Sequence, residues 1–98
     1  MDDQARKALI DTSWTLHALV EESCLAHPAV EGDADWLEKQ RILLGDMALH
    51  LLQTAINPGP VDLDKLRNNL NAILTISDRF LPEAELKKVT VNLYRIRD

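Results

Sequence analysis

The stretch Leu51–Phe80, LLQTAINPGPVDLDKLRNNLNAILTISDRF, decides how this chain is built. Both of its halves carry apolar residues at helical spacing, and Pro58-Gly59-Pro60 separates them. Neither proline can donate a backbone hydrogen bond, and the glycine between them relaxes the chain, so no helix runs through the triplet. One helix has to end near Asn57. The next opens at Asp62, whose short carboxylate is suited to the unpaired N–H groups of a first turn. From there Leu63, Leu66, Leu70, Ile73, Ser77 and Phe80 recur at three- and four-residue steps and share one side of a helix.

The pattern extends outward from this loop. Upstream, the second helix reaches back to just after Gly32, with Asp33 or Asp35 as its cap and Glu38 near its first turn. Before it, a first helix spans Asp3, a good capping residue, to Ala26 or His27. Pro28 stops it, because the residue before a proline is pushed away from helical backbone angles. Downstream, Pro82-Glu83-Ala84-Glu85 has the composition of a helix start and leads into Leu86, Val89, Leu93 and Ile96. Val89 to Leu93 also alternates like a strand, but a lone strand would leave its backbone groups unpaired, so a helix is expected. The reading is an all-α protein: an antiparallel four-helix bundle, two long helices followed by two shorter ones, forming one domain over residues 1–98.

Composition agrees with that reading. The chain has 98 residues, 46% hydrophobic and 28% charged, with only 3 Gly and 4 Pro, which excludes the disordered and low-complexity classes and is enough for one core. The single cysteine, Cys24, allows no intramolecular disulfide, and Met1 to Ile10 lacks the apolar core of a signal peptide. The expected setting is the cytoplasm. The longest uncharged run, Met47 to Val61, contains His, Gln, Asn and two prolines and falls short of the roughly 20 apolar residues of a membrane span. The net charge is -5, with 10 acids against 4 bases in residues 1–60 and 6 against 7 thereafter. Lys87, Lys88, Arg95 and Arg97 make a weak basic cluster without aromatic interleaving, so neither a nucleic acid nor a membrane is an expected partner.

The distinctive feature lies on the first two helices. Ala5, Leu9, Leu16, Leu19 and Val20 form one side of the first helix and read as its core face, yet Ile10, Trp14 and Leu25, with His17 beside them, form a second stripe nearly opposite. The second helix repeats this. Leu37, Leu44, Met47, Leu51 and Ala55 make its main face, while Ile42, Gly45, Leu49, Leu52 and Ile56 follow the 3-4 spacing of a coiled-coil seam on a flank. Gly45 costs about 1 kcal/mol of helix propensity relative to Ala and would let another backbone approach closely. One core cannot absorb both stripes. The expected role is a non-enzymatic interaction protein, a regulator, inhibitor, adaptor or small chaperone, whose partner is another protein or a second copy. The candidate contact residues are Ile10, Trp14, His17, Leu25, Ile42, Leu49 and Ile56.

Other chemistry finds less support in the pattern. Glu-x-x-His, Cys-x-x-Cys and His-Glu-x-x-His are absent, no glycine-rich loop could cradle a phosphate, and Ser23 and Cys24 have no activating surroundings. No catalytic residue, metal ligand or cofactor is therefore expected. The alternative is a small metal- or ligand-binding bundle centred on His17, Cys24 and His50, with Asp46 nearby in sequence. The loop reading has a direct consequence. A short Gly/Ser insertion at Gly59 should change the urea midpoint very little, and limited proteolysis should nick near it; a large loss of stability would mean the connector is packed.

Overall fold

The computed structural model describes residues 1–26, 32 and 35–95. Its helices are α1 (Asp3–Ala26), α2 (Trp36–Ile56), α3 (Leu63–Ser77) and α4 (Leu86–Leu93), with one 3-10 turn at Pro82–Ala84. The fold is all-α, as the periodicity requires, and Val89 to Leu93 is helical. Asp33, His27, Pro28 and Ile96, which enter the expected boundaries, lie outside the described residues.

Local chemistry explains the ends. The first turn of α1 is capped by Asp2 rather than Asp3: the Asp2 carboxylate accepts from the N–H of Ala5 at 2.7 Å. Asp35 precedes α2 without a side-chain cap, and α2 gives way to the proline-bounded loop at Asn57. Asp62 caps α3 as its position suggests, accepting from the N–H groups of Asp64 and Lys65 at 3.1 and 3.2 Å. The last segment differs from a single proline-initiated helix. Pro82–Ala84 makes only a 3-10 turn, Glu85 then turns left-handed at φ 52°, and α4 starts afresh at Leu86. Asp78, just past α3, caps this new start by accepting from the N–H of Leu86 at 3.1 Å.

Long-range pairs give the topology. Ser13 meets Gln53 and His17 meets Asp46, so α1 and α2 run antiparallel. Thr54 meets Asn69, and Asn68 meets Tyr94, which sets α3 against α2 and α4 against α3 in the same alternating sense. The extensive contacts are α1 with α2, α2 with α3 and α3 with α4.

The four helices of the described residues thus form the expected antiparallel helical bundle, a flat one in which the extensive contacts join neighbours in sequence. The Cα envelope measures 45 × 41 × 17 Å, much shorter in one direction than in the other two. The radius of gyration is 15.4 Å, against about 12.6 Å for a compact domain of this length.

This flatness corrects the expected core. Leu9, Leu16 and Leu19 are 39%, 44% and 57% exposed instead of buried. Among the described residues the buried ones are Ser13, Gln40 and Asp46, all polar. Apolar packing inside the chain is half-buried contact along the helix seams, as at Ile42, Leu49, Leu51, Leu70 and Ile73. The Asp62 cap supports a helix that rests on one such seam, so Asp62→Ala should destabilise the protein by about 1 kcal/mol in chemical denaturation.

Candidate functional site

Which side of α1 turns toward α2 follows from exposure. Arg6, Ile10, Ser13, His17, Val20 and Cys24 recur at steps of four and three and are each more covered than their neighbours. Half of this stripe is polar, namely Arg6, Ser13 and His17. Arg6 donates from its guanidinium to the carbonyl of Ile56, at the C-terminal end of α2, where a cation complements the helix dipole. Two turns further on, the Ser13 hydroxyl donates to the carbonyl of Ile10 at 2.7 Å and accepts from the Gln53 amide at 3.2 Å.

The centre of the seam is a cluster of ionisable groups. Nδ1 of His17 lies 2.5 Å from Oδ1 of Asp46, and Nε2 of His50 lies 3.5 Å from Oδ2 of the same carboxylate. Asp46 and His50 stand one turn apart on α2, so both project toward α1. The other ring nitrogen of His17, Nε2, faces the Glu21 carboxylate at 3.3 Å, one turn along α1. The two imidazole rings meet edge to face with centroids 4.7 Å apart, and Trp14 packs edge-on against His17 at 5.5 Å. Burying a carboxylate is costly unless it is paired, and here two imidazoles surround it.

His50 also opens onto a groove of about 380 Å³ between α1, α2 and α3, lined by Ile10, Trp14, Thr54, Asn68 and Asn69 among others. Thr54 donates to Asn69 at 2.5 Å within its wall. On the opposite side of the layer a shallow depression is formed by Arg41, Leu44, Gly45, Ala48 and Phe80.

The expected contact residues divide between these two sides. At 100° per residue, Leu9, Leu16 and Leu19 stand roughly 60–140° to one side of the α2-facing stripe, and Trp14 and Leu25 roughly 80–100° to the other. On α2 the same construction puts Gly45, Leu49, Leu52 and Ile56 on the side of Leu9, Leu16 and Leu19. His50 and Thr54 share the side of Trp14. Ile42, Leu49 and Ile56 are half-buried beside α1; Trp14 is 52% exposed over the groove and Leu25 is 80% exposed near the end of α1. The structure thus brings Ile10, Trp14 and His17 together with His50, and Ile42, Leu49 and Ile56 together with the leucines of α1. It does not join the two sets on one surface.

The set His17, Cys24 and His50 is not assembled either. Cys24 lies two turns beyond His17 on α1, and the third member of the cluster is Asp46. The helical spacing of Asp46 and His50 is visible in the sequence; their meeting with His17 depends on the antiparallel register.

Compared with known proteins, the chain matches no family model, no curated protein and no solved structure, so the site is read from its own geometry. Asp46 is hydrogen-bonded to His17 and lies 3.5 Å from the His50 ring at the middle of the α1·α2 seam. Asp46→Ala should therefore cost about 2 kcal/mol in urea unfolding, the range of a lost hydrogen bond to a charged group. Lys7→Ala, which removes the exposed ion pair with Asp11, should leave the urea midpoint essentially unchanged, because solvent screens that pair.

Proposed function

We propose that this chain is a non-enzymatic protein–protein interaction module that completes its apolar core with a second copy of itself. The observation that carries the reading is the absence of any fully buried large apolar side chain among the described residues, in a chain that is 46% hydrophobic. The area supports it quantitatively. The chain exposes 7086 Å², about a quarter more than the roughly 5,650 Å² of a compact monomer of 11.1 kDa. The excess is on the order of 1,400 Å² per chain, and two such surfaces fall within the range of about 2,000–5,000 Å² buried by obligate homodimers.

The surface proposed for this contact is the one formed by Leu9, Leu16 and Leu19 of α1 with Gly45, Leu49 and Ile56 of α2. A glycine in the middle of a helix is a net cost, and a Cβ built at Gly45 meets nothing within 4 Å in the chain itself. Inside one chain nothing requires a glycine there. Against a second helix, the missing side chain lets two backbones approach closely, and the leucines on either side supply the apolar contact. No helix of the described residues is long and apolar enough to cross a membrane.

Sedimentation equilibrium should find a dimer, with a melting temperature that rises with protein concentration because folding and association are linked. Leu16→Glu should lower both. Gly45→Ala distinguishes a free helix surface from a packed one: on a free surface it should stabilise by up to about 1 kcal/mol, whereas here it should weaken the dimer. A monomer with a concentration-independent melting temperature, stabilised by Gly45→Ala, would overturn the reading.

A further inference from the structure

The cluster at the α1·α2 seam is arranged for more than a hydrogen bond. His17, Asp46 and His50 each offer one donor atom, and the three atoms lie within 4.8 Å of one another. A tetrahedral zinc ion with ligands at about 2.0–2.2 Å holds its donors about 3.3 Å apart, so closing this set takes side-chain rotations of roughly 1 Å. A single histidine bonded to a buried aspartate would account for His17. It leaves unexplained why a second imidazole, from the other helix, turns its Nε2 to the same carboxylate.

We propose that His17 Nδ1, Asp46 and His50 Nε2 bind a divalent first-row transition ion, zinc being the best fit to a borderline set of two imidazoles and one carboxylate. Glu21 has a distinct role in this site. A metal-bound imidazole characteristically donates its remaining N–H to a carboxylate, which fixes the ring's orientation and tautomer. With Nδ1 of His17 turned to the cluster, its Nε2 lies 3.3 Å from the Glu21 carboxylate, within reach of that bond. Glu21 is thus a positioning residue. Three protein ligands leave a fourth position for water or a small anionic ligand, and His50, at the wall of the groove beside Trp14, places that position within reach of solvent. Since one ligand comes from α1 and two from α2, the ion would tie the long helices together. This inference is independent of self-association, because the ligands come from a single chain.

The test uses the full chain, freed of metal with a chelator and titrated with cobalt(II), then zinc. One equivalent of cobalt should bind per chain and give the intense visible band of a four-coordinate site, without a thiolate-to-cobalt band in the near ultraviolet. Zinc should displace it and raise the melting temperature. His50→Ala, at the most solvent-accessible of the three ligands, should remove the band while keeping the helical circular dichroism, Cys24→Ala should leave it unchanged, and Glu21→Gln should weaken binding by about tenfold or more. Nitrogen-15 NMR of the unmutated protein provides a measurement that does not depend on how any variant folds: zinc should shift the ring nitrogens of His17 and His50 and spare those of His27. No cobalt band, a thiolate band, a band that survives in a helical His50→Ala, or zinc shifts confined to His27 would each overturn the proposal.

Discussion

Everything in this structure depends on the polar stripe through which α1 meets α2. Arg6, Ser13 and His17 turn inward to Ile56, Gln53 and Asp46, and hydrogen bonds and a buried carboxylate hold the middle of the seam. Such a seam is specific in register, because each polar group needs its own partner and leaving one unpaired costs about 1–3 kcal/mol. It is a weak source of net stability, since those same groups were well solvated in the unfolded chain. The register is set by polar chemistry, and apolar burial is displaced to either side of it.

That displacement produces the flat shape. An amphipathic helix with one apolar stripe turns it inward, and a bundle closes over the stripes. In α1 the inward position is taken by the polar stripe, so Leu9, Leu16 and Leu19 emerge on one side of the layer and Trp14 on the other. The flat bundle keeps both available, and the two sides differ in character. One is aliphatic and smoothed by Gly45 and Ala48; the other is a groove edged with Trp14, His50 and asparagines.

The two proposals answer separate features of this arrangement. Self-association accounts for apolar area that the chain does not cover. Metal binding accounts for ionisable groups that it does cover. A carboxylate taken out of water between two imidazoles needs a favourable partner for its charge, and a cation supplies one. An ion bound there would reinforce the seam that fixes the register, and so stabilise the layer on which the aliphatic surface is displayed.

Much of the fold was legible in the sequence because its punctuation is local. Pro58-Gly59-Pro60 and Asp62 act on their immediate backbone, so the end of α2 and the start of α3 follow from chemistry within a few residues. Periodicity likewise predicts helix for α1 and α4, and the two-sided character of α1 and α2. The break at Glu85 was hidden, since a proline-led acidic turn can open a helix or stand alone, and the Asp78 cap that favours a new start comes from eight residues away. Long-range pairing decided the rest. Whether Leu9, Leu16 and Leu19 or the stripe of Ser13 and His17 faces α2 cannot follow from hydrophobicity, which favours the leucines. It was decided by the mutual satisfaction of Ser13 with Gln53 and of His17 with Asp46, partners 40 and 29 residues apart. The sequence by itself determined the helices and the surplus of apolar faces; only the tertiary structure decided which face was turned inward, because a buried polar group is satisfied by a particular partner at a particular place.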